Sequence, residues 1–202
     1  MNRKTRLILF SAIVVVLLMI AAYFTWPRQK IMGDTNVHVK TLAADAAKFK
    51  ADYSGVADDN RFVVSTSDEI LAKFDSGDGL IFLGFKRCPW CQALAPIVDE
   101  AAKKEGLDKI YYLDISDARK NNDETYQKII AKLKGHLRKD EQGNPRVYVP
   151  DVTAVRNGKV VGHFLQETTA GGEKVTANTY WTDERRARGV EQLREMIRKI
   201  RD

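Results

Sequence analysis

The longest apolar stretch of the chain lies near its start, where the 20 residues from Leu7 to Trp26 include no charged side chain. A helix of this length, at about 1.5 Å rise per residue, just crosses the ~30 Å hydrocarbon core of a membrane. The segment before it, Met1 to Arg6, is short and basic, and the positive-inside rule keeps such a segment in the cytoplasm. The pattern therefore predicts a single-pass signal anchor at 7–26 in the cell membrane, with residues 1–6 cytoplasmic and the rest of the chain extracytoplasmic.

A cleaved signal peptide is the alternative interpretation of this stretch. Signal peptides have a shorter apolar region, about 7 to 15 residues, which ends at a small-x-small cleavage site. Here the stretch is longer, it ends in bulky residues, and Ala21 and Ala22 are adjacent instead of one position apart. We therefore expect a retained anchor in contact with membrane lipid, and cleavage stays open as the alternative.

After the anchor, the spacing of apolar and polar residues changes from that of a linker to that of a folded domain. Residues 27–36 are polar and 37–53 show helical spacing, so we assign 27–60 to a linker with an N-terminal helix and 61–202 to one domain. Within that domain, apolar runs and turn residues predict strands at 62–64, 80–85, 111–115, 146–156 and 159–166. Helical spacing and capping residues predict helices at 66–74, after Cys91, at 123–137 and at 182–200.

The order of these elements predicts the class of fold. Strands and helices alternate first, and a hairpin that turns at Asn157-Gly158 and a last helix follow. This order is typical of an α/β fold in which helices cover both faces of a central sheet. The strand at 80–85 is a continuous apolar run, so we expect it in the middle of that sheet, buried on both faces.

The composition suits a globular domain and argues against nucleic-acid binding. Hydrophobic residues make up 44% of the chain and charged residues 30%, values that are ordinary for a folded protein. The net charge is +6, but the basic residues are spread among 27 acidic ones instead of forming a patch with interleaved aromatic residues. We therefore expect no nucleic-acid partner.

The two cysteines of the chain stand close together in the sequence Cys88-Pro89-Trp90-Cys91, between the predicted central strand and the start of a helix. At a helix N-terminus the unpaired backbone N–H groups and the helix dipole favour the thiolate, which lowers the pKa of a cysteine below its free value of about 8.5. Cys88 is therefore the expected nucleophile. Cys91, one helical turn later on the same side, is expected to resolve the mixed disulfide that Cys88 forms with a substrate.

From about residue 62 to residue 200, the motif and its surroundings resemble the thioredoxin superfamily. Pro96 stands five residues after Cys91, where thioredoxins kink the active-site helix. The residues at 149–152 (Val-Pro-Asp-Val) are similar to the cis-proline loop of that family, and 155–160 are similar to the hairpin after it. This combination is far more specific than two cysteines at this spacing alone.

The resemblance implies a thioredoxin-like α/β fold with a central mixed sheet, and a thiol–disulfide oxidoreductase activity that exchanges disulfides with proteins. It also implies that Trp90, Val149 and Pro150 contact the substrate chain beside the cysteines. The subgroup that the chain resembles is the membrane-anchored, extracytoplasmic thioredoxin-like proteins of bacteria, including the bacteriocin-accessory type.

Some positions depart from the thioredoxin pattern. Phe82 and Tyr112 stand where thioredoxins have a buried acid and a lysine, which leaves the family's proton-transfer route for the resolving thiol without its usual residues. The segment between the cysteines and the proline loop is longer than in thioredoxin, with a basic insertion at 132–139.

Next to the cysteines, Arg87 replaces the tryptophan that thioredoxins carry before the first cysteine. Its positive charge is expected to stabilise the Cys88 thiolate further. With Pro89 and Pro96, Arg87 forms the set of supporting residues that we expect to shape the site.

Four other functions compete for the cysteine pair. A permanent structural disulfide would close too short a loop to stabilise the fold much. A zinc site needs four ligands, and His38, His136 and His163 do not stand at the spacing of such a site. A copper-handling protein would use both cysteines with His163. A binding module for a secretion or bacteriocin system would keep the fold without redox turnover.

We therefore expect no metal and no cofactor other than a redox-active Cys88–Cys91 disulfide. The expected partners are thiol- or disulfide-containing client proteins and a membrane redox partner, because the chain has no second cysteine pair to recharge the first. Whether the protein acts as a reductant, an oxidant or an isomerase stays open, since the Pro-Trp dipeptide influences the reduction potential without fixing it.

Overall fold

The computed structural model describes residues 42–166, 169–170 and 173–202, with side chains at 42–166 and 175–202. The segment predicted to be cytoplasmic, the anchor predicted at 7–26 and the first part of the 27–60 region lie outside the described residues. In the part that is described, no helix is both long enough and apolar enough to cross a bilayer. Residues 42–202 form one unit.

The helices and strands alternate along most of this unit. The helices are α1 (42–52), α2 (Ser67–Ser76), α3 (Pro89–Lys104), α4 (Ser116–Asn121), α5 (Glu124–Leu133), α6 (Ala177–Tyr180) and α7 (Asp183–Arg201). The strands are β1 (Phe62–Val64), β2 (Gly79–Gly84), β3 (Ile110–Asp114), β4 (Arg138–Lys139), β5 (Pro145–Arg146), β6 (Asp151–Arg156), β7 (Lys159–Leu165), β8 (Thr169–Ala170) and β9 (Glu173–Lys174).

Five strands form the central sheet, in the order β1-β3-β2-β6-β7. β1, β3 and β2 run parallel, β6 runs antiparallel to β2, and β7 runs antiparallel to β6. The sheet is therefore mixed, with β2 at its centre. Every residue of β2 is buried, which confirms the prediction of a central strand covered on both faces.

Alternate side chains of β2 enter hydrophobic clusters on opposite faces of the sheet, as the two-residue period of a strand requires. Leu80 and Phe82 pack with apolar residues of α1, α3 and α7. Ile81 and Leu83 pack with apolar residues of α2 and α5. Each of these fully buried side chains stabilises the fold by about 1.5–3 kcal/mol relative to an exposed one. Helices thus cover both faces of the sheet, as predicted.

The helix before the main fold is part of the core. It was predicted at 37–53, and the described part is helical from 42 through 52. Phe49 stacks on Phe62 of β1 with ring centroids 3.9 Å apart, and Tyr53 stacks on Phe49 at 4.3 Å. These stacked rings attach α1 to the edge strand of the sheet and bury Tyr53 beneath β2 and β3.

Two predicted elements are shorter in the structure. The helix predicted at 123–137 ends at Leu133, because its buried positions end there and the exposed residues 134–136, which include Gly135, have no core to face. The strand predicted at 146–156 is divided: Pro145–Arg146 pairs with β4 in a separate hairpin, and β6 begins at Asp151. Pro150 interrupts the strand because it has no N–H to donate to a neighbouring strand.

Candidate active site

The Cys88 loop joins the central strand to α3. After β2 ends at Gly84, the chain makes a short turn in which the N–H of Cys88 donates to the carbonyl of Phe85 over 3.1 Å. Cys88 is the N-cap residue of α3 and Pro89 is its first helical residue, where the missing N–H of proline costs nothing. The sequence therefore places the first cysteine at the N-terminus of a 16-residue helix.

The Cys88 sulfur lies in an environment that favours the thiolate. Its Sγ is half-buried and accepts the N–H of Cys91 over 3.2 Å. The hydrogen bond with the Cys91 side chain makes the largest contribution, and with the backbone N–H groups of Cys91 and Trp90 and the charge of Arg119 it outweighs burial and lowers the pKa of Cys88 to about 7. A thiol with this pKa is about half ionised at neutral pH.

Cys91 has the opposite character. It is fully buried, and burial first, then the hydrogen bond with Cys88, raises the pKa of its thiol well above the ordinary value. Both cysteines are free thiols in the structure. The pair therefore combines one sulfur that ionises readily at the surface with one that holds its proton inside the protein, which is the asymmetry expected of a nucleophile and a resolving thiol.

The peptide bond between Val149 and Pro150 is cis. It immediately precedes β6, whose first residue, Asp151, pairs with Leu83 near the end of β2 that leads to the cysteines. Val149 is half-buried and packs against both hydrophobic clusters, one of which contains Cys91. The proline loop and the cysteine loop thus meet at the same end of the sheet, as the resemblance implied.

The remaining predicted site residues surround Cys88 at different depths. Trp90 is half-buried, and its ring packs edge-on against Tyr180 of α6 with centroids 5.6 Å apart. Arg87 and Pro89 are exposed. Pro96 lies inside α3, one turn after the motif. Of the basic residues, it is Arg119 of α4 whose charge contributes to the lowered pKa of Cys88.

The sequence did not predict the buried hydroxyl groups beside Cys91. Tyr53 Oη donates to Tyr112 Oη over 3.2 Å, and Tyr112 Oη donates to Asp114 Oδ2 over 3.4 Å. A methyl group added at Gly84 would lie 3.1 Å from Tyr53 Oη and 3.4 Å from Cys91 Sγ, so these two groups flank the same point of β2. No local pattern signals this arrangement, because Tyr53 directly follows α1 and the other two residues belong to β3.

His163, the histidine considered for copper, is engaged elsewhere. Its Nε2 lies 2.7 Å from Oδ2 of Asp151, a residue without exposed surface. Within the described residues, no three histidine, cysteine, aspartate or glutamate side chains form a group that could hold a metal ion.

No protein-family model matches this chain, and no curated protein matches it. Among solved structures, the chain is similar to thioredoxin O2 from Arabidopsis thaliana in the oxidized state, with 16% identity, a TM-score of 0.36, and coverage of 54% of this chain and 84% of that one. It is similar to oxidized thioredoxin O1 from the same plant, with 16% identity, a TM-score of 0.35, and coverage of 54% and 87%.

Proposed function

We propose that this protein is a thiol–disulfide oxidoreductase of the thioredoxin superfamily that exchanges disulfides with protein clients. The Cys88 thiolate attacks a client disulfide, forming a mixed disulfide and releasing one client thiolate. Cys91 then attacks the Cys88 sulfur, which releases the second client thiolate and leaves the Cys88–Cys91 disulfide. The client disulfide is reduced by two electrons and the protein is oxidised by two, and the same steps run in reverse when the protein acts as an oxidant.

The observation that carries this proposal is the position of the Cys88 sulfur. It is the N-cap group of α3, it accepts the Cys91 N–H over 3.2 Å, and its pKa is lowered to about 7. A cysteine with a purely structural role gains nothing from an ionised, half-exposed sulfur. The cis Val149–Pro150 bond at the same end of the sheet supports the assignment of Val149, Pro150 and Trp90 to client binding.

The proposed place of action rests on the sequence. The uncharged segment at 7–26, with basic residues before it, is proposed to anchor the protein in the cell membrane with residues 42–202 on the outer side. A membrane redox partner would then restore the cysteine pair after each cycle. Within the superfamily, this arrangement is that of the membrane-anchored thioredoxin-like proteins, including the bacteriocin-accessory type.

The test is the reduction potential of the cysteine pair. The full chain is equilibrated in glutathione or dithiothreitol buffers, and the fraction of free thiol is read by alkylation and by Trp90 fluorescence. We expect one reversible two-electron couple, near about −270 mV for a reductant or about −120 to −180 mV for an oxidant or isomerase. Absence of a reversible couple would overturn the proposal.

Two matched variants assign the roles. Cys91→Ser is expected to trap mixed disulfides between Cys88 and client proteins, whereas Cys88→Ser is expected to trap none and to lose exchange activity. An active Cys88→Ser variant would contradict the assignment of Cys88 as the nucleophile.

A further inference from the structure

A cavity of about 850 Å³ opens beside the Cys88 loop. We call it the basic cleft and define it by Phe85, residues of α4 and α5, and the segment 140–146. The carbonyl of Phe85 accepts the N–H of Cys88, so one end of the cleft lies next to the proposed nucleophile. At the other end of the cleft, the chain continues from Arg146 through the exposed Tyr148 to Val149. The Arg146 guanidinium lies 5.6 Å from the Tyr148 ring centroid.

The charges of the cleft are unbalanced. Arg119, Lys120 and Arg146 line it, and Arg138 is the cross-strand partner of Arg146. Like charges that face each other across two strands destabilise the pair. Within the described residues, none of these four cations forms a salt bridge.

One acid, Asp140, lines the cleft together with three cations, so the net charge of its lining stays positive. Asp140 accepts the backbone N–H groups of Gln142 and Asn144, over 3.0 and 2.8 Å, and is thus committed to its own turn. Burial, followed by the neighbouring charge of Arg146, lowers the pKa of Arg119, as expected when two guanidinium groups lie close without an anion between them.

Arg119 is nonetheless held in place for binding. Its guanidinium lies 4.3 Å from the centroid of the Phe85 ring and donates to the carbonyl of Val147 over 3.3 Å. A fixed guanidinium group presents donors in the geometry that a carboxylate accepts. An anionic ligand would relieve the repulsion among the arginines and find its donors already oriented.

We propose that the basic cleft binds an acidic segment of the client protein whose disulfide reacts with Cys88. The proposal rests on the proposed function for the identity of the ligand as a client. The size of the cleft exceeds that of a single small anion, and its continuity with Tyr148 and Val149 fits an extended peptide that runs from the cleft towards the cis-proline loop.

The binding test does not depend on redox chemistry. Fluorescent peptides of one sequence, carrying three glutamates or three glutamines at the same positions, are titrated against the full chain with both cysteines replaced by serine. We expect the glutamate peptide to bind at least about tenfold more tightly at low ionic strength, with the difference lost at high salt. Equal affinities would overturn the proposal.

A pair of charge variants then locates the site. Replacing Lys120 and Arg146 together by glutamine should remove the preference for the glutamate peptide over the glutamine peptide. Arg156→Gln, at the far end of β6, is the matched control and should keep the preference. A preference that survives in the Lys120 and Arg146 variant would place the anion site elsewhere.

Exchange rates with the native cysteines separate the two proposals. Two disulfide-bonded peptides are compared, identical except that glutamate or glutamine stands beside their cysteines. Each is mixed with the reduced full chain in single-turnover reactions. If exchange occurs at the same rate with both peptides, the proposed oxidoreductase activity stands and the proposal of an acidic client is overturned. If binding depends on the charge of the peptide but no exchange occurs, the basic cleft remains an anion-binding site and the proposed oxidoreductase activity is overturned.

A second inference rests on different residues, the buried hydroxyl groups next to Cys91. The bonds run in one direction, from Tyr53 to Tyr112 and from Tyr112 to Asp114. Asp114 is half-buried, and its carboxylate also accepts the N–H groups of Ser116, over 2.9 Å, and Lys86, over 3.2 Å. A carboxyl group that accepts hydrogen bonds therefore stands at the solvent side of the chain of hydroxyls, and Cys91 and Tyr53 flank the same point of β2 at its inner end.

Cys91 needs such a route because it must lose its proton before it attacks. Burial, more than any other cause, raises the pKa values of Cys91, Tyr53 and Tyr112 above their ordinary values. The two tyrosines therefore stay protonated and are suited to pass a proton on, not to keep one. Phe82, at the position where thioredoxins have a buried acid, offers no acceptor.

We propose that the Cys91 proton leaves through Tyr53 and Tyr112 to Asp114 when the mixed disulfide is resolved. The S–H bond of Cys91 breaks, Tyr53 receives that proton and gives its own to Tyr112, and Tyr112 gives its own to the Asp114 carboxylate. The Cys91 thiolate then forms the bond to Cys88 while the bond from Cys88 to the client breaks, and Asp114 releases its proton to water. This step belongs to the proposed oxidoreductase reaction.

The test separates formation of the mixed disulfide from its resolution. The reduced full chain is mixed with oxidised glutathione, quenched with acid, and the glutathione adduct of Cys88 is quantified by mass over time. Tyr112→Phe is expected to form the adduct at the wild-type rate and to resolve it about 100-fold more slowly at pH 7. Tyr111→Phe makes the same change on the opposite face of β3 and should alter neither step.

A pH profile distinguishes the relay from a packing effect. In Tyr112→Phe and in Asp114→Asn, resolution is expected to recover as rising hydroxide concentration removes the Cys91 proton directly, whereas a packing defect would slow the step equally at every pH. An unchanged resolution rate in both variants would overturn the relay, and failure of the wild type to form the adduct would overturn the proposed function instead. Cys88 and Arg119 are the other ionisable groups that interact with Cys91. Lys86 donates its backbone N–H to Asp114, and its ammonium lies 4.0 Å from the Asp52 carboxylate.

Discussion

The backbone N–H of Cys91 donates a hydrogen bond to the sulfur of Cys88 over 3.2 Å. In most helices a serine, threonine or aspartate oxygen occupies this N-cap position. Here the Cys88 sulfur occupies the N-cap position, so the same atom caps α3 and is the nucleophile that we propose. A thiolate accepts this hydrogen bond better than a thiol, which couples the ionisation of Cys88 to the stability of the helix start.

The first prediction concerns the reactivity of Cys88. In the reduced full chain, the rate of alkylation by iodoacetamide should rise with pH and reach half its maximum at about 7, because the thiolate is the reacting form. Cys91 should stay unmodified at this pH, since it is buried and protonated. Mass spectrometry of the two alkylation sites measures both. A midpoint near about 8.5, the free value, would contradict the assigned environment.

The second prediction concerns the pH dependence of stability. The folded-state pKa of Cys88 is lowered, so the thiolate contributes stability above the unfolded pKa and that contribution is lost as pH falls through about 7. Between about pH 6 and pH 8.5, the unfolding free energy of the reduced wild type should therefore rise relative to Cys88→Ser by about 1 kcal/mol, which is the full linkage value of about 2 kcal/mol reduced for solvent screening of the half-buried sulfur.

Urea unfolding of the two proteins at several pH values measures this difference. The serine variant keeps a capping oxygen and removes only the ionisable group. Cys91 does not disturb the comparison in this range, because its raised pKa affects stability only above the unfolded value. A difference that is flat with pH would show that the sulfur gains nothing from its ionised form in the folded state.

A third prediction follows from the buried carboxylate of Asp151. It has no exposed surface and is bound by the Thr153 hydroxyl, over 2.9 Å, and by His163, over 2.7 Å. His163→Leu removes one of the two hydrogen-bond partners of this buried group and should cost about 1–3 kcal/mol of unfolding free energy. His163→Gln, which retains a donor, should cost less. Lys159→Leu, at an exposed position of the same strand, is the control and should cost about 0.5 kcal/mol or less.

The same denaturant titrations decide the outcome. If His163→Leu is no more costly than Lys159→Leu, the Asp151–His163 contact does not hold the start of β6. Loss of the Asp151–His163 contact should also disturb the neighbouring proline loop. We expect this effect as a slower reaction of reduced Cys88 with peptide disulfides.

The sequence predicted the parts of this structure that have local or periodic signals. The continuous apolar run of β2 and the two-residue spacing of the cysteines at a helix start are such signals, and the central strand and the position of Cys88 follow from them. The basic insertion at 132–139 was visible too, but not that its last two residues form β4 and pair with β5, because two-residue strands have no period to detect.

The surroundings of the cysteines depend on contacts between distant residues, and these were not predictable. Tyr53 lies 59 residues before Tyr112 in the chain, and only the packing of α1 against β3 brings their hydroxyls together. Arg87 was the nearest cation to Cys88 in sequence, yet the charge that lowers the Cys88 pKa belongs to Arg119, which reaches the loop from α4. Proximity in sequence is a poor guide to charge at the end of a sheet, where several loops converge.

The last prediction compares two glycines with left-handed backbone. Gly158 and Gly143 have φ values of 72° and 84°, so any other residue at either position is strained by about 1–2 kcal/mol. A methyl group at Gly143 meets no atom within 4 Å, but at Gly158 it would lie 2.3 Å from the carbonyl oxygen of Asp75. Gly158→Ala must therefore also displace the end of α2, to which the N–H of Gly158 is joined through the carbonyl of Gly77 at 2.9 Å.

We expect Gly143→Ala to cost only the backbone strain, and Gly158→Ala to cost at least about 3 kcal/mol in the same urea titration. The difference in unfolding free energy between the two alanine variants measures how closely the β6–β7 turn packs against α2. Equal costs for the two alanine variants would mean that the turn moves away freely. In that case the contact between the turn and α2 would contribute nothing beyond the backbone strain.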